Sequence, residues 1–445
     1  MAAEIETAWT DFAADLRWED IPESVRHEAK RSILNIIATA FSGCREPAVD
    51  KALVAMTPFS SGGAVSLVGR PERCDPLLAA YLNAMAANIF DYDDNHPATI
   101  IHPSAPLAPA LFAWAEHFGA SGQNLLRAFV LGGEIECRLG NAISPYHYTR
   151  GWHITSTCGV FGAAVGAGAL ADLSAEQFVW ALGNASAQAG GLVETLGTMA
   201  KSLSVGNAAR LGLVSALLAK DGYSGPVAPL SGERGFLKVY ADNPKFAALT
   251  EGLGEEWEIA KNTYKPYPAG IVLNPVIDAA LEFAQQPGFD AAKVASIELR
   301  GNPFLRQRTD RPNVTTGREA QVSAQHAIAI AFKRGEAGLA AFSDEAVAET
   351  LRDGRPTLTF IDDASMDIAG VHATFHLADG SSKTVTVEAA RGSPANPLTD
   401  AELEEKLKIL AARAGFSKPV QPLIDSIWRL DEAGDAGAVS RLAAV

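Results

Sequence analysis

Residues 157–173 read TCGVFGAAVGAGALADL and residues 206–225 read GNAARLGLVSALLAKDGYSG. Both carry apolar residues at a spacing of three and four, the period of a helix. Ala and Gly are so frequent that no bulky side chain holds a neighbour away, so these helices must pack backbone to backbone, buried on most sides inside a bundle. The same period runs outward over about residues 5–250. In VRHEAKRSILNIIATAFSG (25–43), Val25, Ala29, Ile33, Leu34, Ile37 and Ala40 form one stripe that Gly43 stops. DPLLAAYLNAMAANIFDYDD (75–94) reads as a helix running out at Phe90 into an acidic turn.

The character changes after about residue 265. KVASIELRG (293–301), RPTLTFIDD (355–363) and GVHATFHLADGSSKTVTVEAA (370–390) carry Val, Ile, Thr and Phe in alternation. The turn Ala378-Asp379-Gly380-Ser381 between two strand-like runs predicts a β-hairpin. PANPLTDAELEEKLKILAARAG (394–415) returns to helix, opened by Thr399 with Glu402 three residues on, a capping box. This order predicts a mainly α protein. Residues 1–265 and 398–445 form a large all-α helical domain, the N-terminal segment plus the C-terminal helices, and residues 266–397 an inserted smaller α+β domain. Clefts between two domains are common ligand sites.

Of 445 residues, 48% are hydrophobic and 20% charged, which excludes a mini-protein, a disordered polymer or a fibre. Lys and Arg number 37 against 52 Asp and Glu, a formal net charge of -15. That field repels phosphate backbones and anionic lipid, so neither nucleic acid nor membrane is an expected partner. Cys44, Cys74, Cys137 and Cys158 are far apart, without the spacing of a zinc site, and reduced, mostly buried thiols are expected. The opening MAAEIETAWTDFAADL has acids where a secretory signal needs a basic start. No apolar stretch reaches the roughly 20 residues that span a bilayer, and a cytoplasmic location is expected.

Asp91-Tyr92-Asp93-Asp94-Asn95-His96-Pro97, followed by His102-Pro103-Ser104, is the densest polar cluster in the chain. It reads either as a capped, solvated turn, which composition favours, or as an acid/base site. Three close acids also suit Mg²⁺ in enzymes that ionise diphosphates, but no second acidic ligand motif or basic phosphate clamp accompanies them. His153, just before the Gly/Ala helix, would stand at a helix N-terminus, where the dipole disfavours the protonated form. It is either a neutral base or a structural histidine. Lys201, in GTMAKSLSVGNAAR (197–210), lies among small and apolar residues and either snorkels to solvent or meets an anion. Lys265, in TYKPYPAGIVLNP (263–275), stands between Tyr264 and Tyr267 at the domain junction, as a cleft cation or an ordinary hinge residue. Together, histidines, lysines and a carboxylate suit removal of a proton next to a carboxylate: cations hold the substrate's charges and a nearby group takes the proton. The chain has no G-x-S-x-G elbow, P-loop or H-E-x-x-H, and Gly166-Ala167-Gly168 lacks the third glycine and preceding strand of a dinucleotide fingerprint.

Four stretches, in this order and spacing, resemble the MmgE/PrpD family: DYDDNHPATIIHPSAPLAPALFAWAE (91–116), GWHITSTCGVFGAA (151–164), AKSLSVGNAARLGLVSALLAKDGYSGP (200–226) and KPYPAGIVLNPVIDAAL (265–281). That family includes 2-methylcitrate dehydratase, cis-aconitate decarboxylase and iminodisuccinate epimerase. The resemblance covers about residues 5–430 and is far less specific for the substrate than for the family. It implies that the smaller domain is a lid, that the protein is a homodimer, that the substrate is a small polycarboxylate, and that catalysis uses no metal and no organic cofactor. By motif it suggests Asp91 (D-[FY]-D-D), His102 (H-P-S), His153 (G-[FW]-H) and Lys201 (K-x-[LM]-x-x-G-[NRS]-A-A) as catalytic residues. Lys265 (K-x-[YFW]-P), Tyr267 and His326 would bind substrate.

Two departures qualify the resemblance. Gly270 and Asn274 stand in the stretch where members often place a histidine. REAQVSAQHAIAIAF (318–332) resembles E-A-K-F-S-x-x-Y, with Gln321 replacing the lysine and His326 the tyrosine, as an acid or as a packing residue. Both count against cis-aconitate decarboxylation in particular. The expected activity is that of a cofactor-independent lyase of the dehydratase type, 2-methylcitrate dehydratase-like, which abstracts a proton alpha to a carboxylate of a small di- or tricarboxylate. The alternative is an isomerase or epimerase of a small dicarboxylate on the same scaffold, with His153 and Lys201 or His326 as opposed bases. A Mg²⁺-dependent enzyme acting on a diphosphate and a non-catalytic binding protein are the readings from other classes.

Overall fold

Ile154–Leu170 is a helix whose residues from Ile154 to Ala169 are all buried, the interior position its Ala/Gly content demands. The computed structural model to which it belongs describes residues 2–445 and is mainly α, 57% helical with 9% strand. The described residues divide into two units. The larger comprises the chain up to Ile89, Asp93–Asn262 and Thr399–Val445, and the smaller comprises Phe90–Tyr92 and Thr263–Leu398. Phe90–Tyr92, residues 263–265 and Leu398, which the sequence pattern assigns to the helical domain, thus belong to the smaller unit.

The larger unit is built from α1 (Glu23–Gly43), α2 (Pro76–Asn88), α3 (Ser104–Phe118), α4 (Gly122–Ile143), α5 (Ile154–Leu170) and α6 (Ala200–Lys220). The stripe from Val25 to Ala40 is buried along α1. Asp75 caps α2 by accepting from the N–H groups of Leu77 and Leu78, with Pro76 in the first turn. Glycine sets the helix spacing. A Cβ on Gly212 of α6 would stand 2.4 Å from the Ala163 Cβ and 2.8 Å from the Val160 carbonyl oxygen of α5. No side chain fits at that distance, so α5 and α6 approach as only a bare backbone allows. α6 has the length and apolar composition to cross a membrane, which corrects the expectation that no stretch does. However, 56% of that stretch is buried inside the structure, where α6 packs on α5, α2 and α3 as a core helix. Cys44, Cys74, Cys137 and Cys158 are free and buried.

The smaller unit carries α7 (Asn274–Ala284), α8 (Ala324–Arg334) and, among its described residues, a four-stranded sheet of order β2-β1-β3-β4. The strands are β1 (Val294–Gly301), β2 (Leu358–Asp362), β3 (Val371–Leu377) and β4 (Ser382–Val387). β1 runs parallel to β2, with Ile297 opposite Leu358, and antiparallel to β3, with Ile297 opposite Phe375. The predicted hairpin is β3–β4, and Gly380 in its turn has φ +86, which a side chain would resist. Alternation buries Ile297, Leu299, Val371, Ala373, Phe375 and Val385 in one core with α7 and α8. Phe283 of α7 stacks on Phe375 with centroids 4.0 Å apart. The chain then returns to the larger unit at α9 (Asp400–Arg413), opened by the Thr399/Glu402 capping box read from the sequence.

His326 of α8 lies inside this smaller core, which corrects its reading as a substrate-binding residue. Its Nε2 is 2.8 Å from the Ala341 carbonyl oxygen, its Nδ1 is 2.9 Å from the Thr350 hydroxyl, and its side chain is fully buried. Both ring nitrogens are engaged by the fold, so the packing reading is the one that holds. Burial pushes its pKa down from 6.5 to about 4. A histidine kept neutral in the fold stabilises fully above its unfolded value, and that contribution is lost as pH falls from 6.5 through about 4. Between about pH 6.5 and 4.5, wild type should therefore lose roughly 2 kcal/mol more stability than His326→Gln in chemical unfolding. Parallel losses in the two proteins would contradict this.

Candidate functional site

The acidic turn after α2 is buried rather than solvated. Asp93, Asp94 and His96 have no exposed surface, and His102 is 7% exposed. Asp93 Oδ1 lies 2.9 Å from His102 Nδ1, while Asn88 donates its amide to the other Asp93 oxygen at 2.7 Å. A nitrogen lone pair would be repelled by a carboxylate at that distance, so Nδ1 carries a proton and Nε2 is the basic nitrogen. Asp94 is held differently. Its Oδ2 accepts from the Ser104 N–H at 3.1 Å, from the Ser104 hydroxyl, and from the Asn262 amide at 2.6 Å. Burial, and then the neighbouring Asp93, push the Asp94 carboxyl up to about 6. His96 bridges Glu258 at 3.0 Å and Thr99 at 2.8 Å, and His96 then Lys261 hold the Glu258 carboxyl well below the usual range. Between the two histidines, Ile100 has φ +60, a left-handed conformation that costs a β-branched residue on the order of 1–3 kcal/mol. The His96 N–H bond to the Ile101 carbonyl and the Ile100 N–H bond to the His96 carbonyl, both 2.8 Å, hold that turn.

His153 is the N-cap residue of α5, as its place before the Gly/Ala helix suggests. Its N–H donates to the Gly191 carbonyl at 3.0 Å, and its Nδ1 is 3.1 Å from the Ser204 hydroxyl of α6. Lys201 sits in the first turn of α6, 6% exposed. The His102 N–H donates to the Thr155 hydroxyl at 3.2 Å, in the first turn of α5. Thr155 and Ser204 thereby tie His102, His153 and the start of α6, with Lys201, to one end of the larger unit's buried helices. His147 braces the loop ahead of His153: it stacks with Trp152, bonds Thr157 at 2.7 Å, and burial pushes its pKa down to about 4.

In the smaller unit Lys265 pairs with Asp91, Nζ to Oδ2 at 2.6 Å and to the Asp91 carbonyl at 3.0 Å. Asp91 itself has φ +55. The Tyr92 hydroxyl donates to the Pro266 carbonyl at 2.9 Å. Gln321, in the place of the family lysine, donates its amide to the Phe90 carbonyl at 2.7 Å and the Pro268 carbonyl at 2.9 Å, tying residues 90–92 to the Lys265 segment. The Tyr267 hydroxyl donates to Asp278 at 2.6 Å, and the Arg391 N–H meets the other Asp278 oxygen at 2.7 Å. Asn274 is buried at the start of α7.

Sequence reasoning named Asp93 and Asp94 only as members of the acidic cluster, and it passed over Ser204 and Glu136. The available signal for Glu136 was its place in α4, where Glu134, Glu136 and Arg138 interrupt an apolar run. Glu134 accepts from Arg138 at 3.0 Å and from the Ile259 N–H at 2.9 Å, and burial raises its carboxyl to about 7. Neither oxygen of Glu136 has a hydrogen-bond partner among the described residues, and its side chain is fully buried. Burial, and then Asp94, raise its pKa well above the ordinary 4.5, so the folded protein holds it as a neutral acid. A raised carboxyl pKa contributes stability that is complete below 4.5 and is lost as pH rises. Glu136→Gln is neutral at every pH, so its stability relative to wild type should rise as pH increases over the range above about 4.5. A constant difference in thermal midpoint across that range would contradict a neutral Glu136.

A family model described as the MmgE/PrpD N-terminal domain matches residues 7–249, and one described as the MmgE/PrpD C-terminal domain matches residues 267–432. The chain is similar to the cis-aconitate decarboxylase-like protein oryM of Aspergillus oryzae, 28% identical over 97% of this chain and 95% of that protein. It is similar to the cis-aconitate decarboxylase of Aspergillus terreus, 28% identical over 95% of this chain and 92% of that protein. The cis-aconitate decarboxylase of Mus musculus is 26% identical over 99% of this chain and 94% of its own length. With both family models in chain order and spanning most of its length, the chain belongs to the MmgE/PrpD family.

Proposed function

We propose that this chain is a lyase acting on a small tricarboxylate, with His102 moving a proton at a carbon next to a carboxylate. The observation that carries the reading is the buried contact, 2.9 Å, between Asp93 Oδ1 and His102 Nδ1. It directs the lone pair of Nε2 outward from the acid and sets a negative charge opposite the imidazolium that forms when Nε2 takes a proton. The relatives named cis-aconitate decarboxylase support a tricarboxylate substrate. Lys201 is assigned to a substrate carboxylate, whose charge it would offset as electrons move toward it, and His153 to orienting the reacting group. Asp91 is retained as a catalytic group steadied by Lys265, and Lys265 and Tyr267 as substrate-binding residues. The homodimer implied by the family resemblance is part of the same proposal.

Two finer reactions share this machinery. Loss of carbon dioxide breaks the bond to a carboxyl carbon, leaves the electron pair on the adjacent carbon, and needs one proton delivered there. Loss of water removes the alpha proton, moves its electron pair into a C=C bond, and needs a proton for the departing hydroxyl. Similarity to the decarboxylases favours the first. Gln321 and Asn274 favour the second, of the 2-methylcitrate dehydratase kind: both are amides, and the Gln321 amide is spent on two backbone carbonyls.

NMR in D₂O with cis-aconitate, citrate, 2-methylcitrate and iminodisuccinate tests the reading. Turnover of a tricarboxylate is expected, with deuterium entering at carbon if carbon dioxide is lost and with an unsaturated product if water is lost, and His102→Gln should lower kcat by roughly 10²–10⁴-fold while the fold is retained. Deuterium entering recovered substrate with no unsaturated product or carbon dioxide would replace lyase by isomerase. No turnover and no exchange with any of the four would overturn the reading.

A further inference from the structure

We propose that Ser204 is a positioning residue that fixes the tautomer of His153 and so gives the two histidines of the larger unit different tasks. The inference deepens the proton-transfer reading above and rests on it for its catalytic part. A serine hydroxyl has one proton to give. Ser204 Oγ lies 2.8 Å from the Lys201 carbonyl oxygen, which can only accept, and 3.1 Å from His153 Nδ1. The shorter contact takes the hydroxyl proton, in the local pattern of a helical serine bonding a carbonyl three residues back. The longer contact is then made by Nδ1–H donating to the Ser204 oxygen. His153 therefore carries its proton on Nδ1 and its lone pair on Nε2.

His102 has the same tautomer for a different reason. Its Nδ1 faces the Asp93 carboxylate, and Asp93 is itself held by Asn88 at 2.7 Å. When Nε2 of His102 takes a proton, the new charge has a carboxylate opposite. Behind His153, Nδ1 meets a hydroxyl rather than a carboxylate, at the positive end of the 17-residue helix α5. His102 is accordingly the group that exchanges protons with substrate. His153 instead presents Nε2 as an acceptor for a proton-bearing group of the substrate, a hydroxyl or a carboxylic acid, which it orients. Ser204→Ala removes the acceptor behind Nδ1, allows the proton to move to Nε2, and turns that acceptor into a donor.

The test reads the tautomer directly. Two-bond ¹⁵N–¹H correlation spectra of the full chain labelled with ¹⁵N-histidine report which ring nitrogen is protonated, and His153→Gln assigns the signal. Wild type and Ser204→Thr should show His153 protonated on Nδ1, whereas Ser204→Ala should shift it toward Nε2. On whichever substrate turns over, Ser204→Ala should lower kcat about 10-fold, less than the roughly 10²-fold or more expected for loss of a proton-transfer group, and Ser204→Thr should restore it. A wild-type His153 protonated on Nε2 overturns the proposal, even if Ser204→Ala does not fold, and so does a tautomer unchanged in Ser204→Ala. The spectra need no substrate, so failure of the lyase reading and failure of the tautomer assignment are separate results.

Discussion

The close approach of α5 to α4 and α6 is the constraint on which the larger unit depends. It exists because glycine stands where the backbones meet: a Cβ on Gly162 would lie 2.9 Å from the Gly132 carbonyl oxygen, and one on Gly212 would lie 2.4 Å from the Ala163 Cβ. With the helices that near, the first turns of α5 and α6 are neighbours, and a short side chain such as Ser204 can reach His153 at 3.1 Å. Thr155 in the same turn of α5 reaches the backbone of His102 at 3.2 Å. Wider spacing of α5 and α6 would leave the Ser204 contact unmade. The polar end of the helix cluster is therefore set by the apolar, small-residue packing of its middle.

The second constraint is electrostatic. Asp93, Asp94, Glu134 and Glu136 are all buried in the larger unit, and a buried carboxylate is costly unless something answers its charge. Each is answered in its own way. Asp93 faces an imidazole and an amide, Asp94 takes three donors on one oxygen, Glu134 pairs with Arg138, and Glu136 keeps its proton. These answers are not interchangeable. A carboxylate beside an imidazole sets a tautomer and a counter-charge, which is chemistry. A carboxyl that stays protonated against a glycine-bearing helix only fills space and makes stability depend on pH.

Much of the fold was legible because it rests on local patterns. The stripe of α1, the burial of α5, the hairpin of β3 and β4, and the capping box of α9 each follow from side-chain period or turn chemistry within a few residues. The acidic turn was legible as a cluster but not as an environment. Composition favours a solvated cap there, and what buries Asp93 and Asp94 is contact with Asn88, Ser104 and Asn262, the last 168 residues away from Asp94 in the chain. His326 misled for the same reason: its neighbours in sequence do not reveal that Ala341 and Thr350 close over it.

The amino-acid sequence by itself determined the mainly α class, the mixed segment after residue 265, the reduced cysteines and the MmgE/PrpD kinship, since period, turns and motif spacing are written along one strand of chain. Only the tertiary structure decided that Asp93 stands behind His102, that Ser204 stands behind His153, and that Lys265 is held by Asp91. Protonation state and hydrogen-bond direction depend on atoms within about 3 Å of a ring or carboxyl group. Chain order does not specify which atoms those are until the helices have packed.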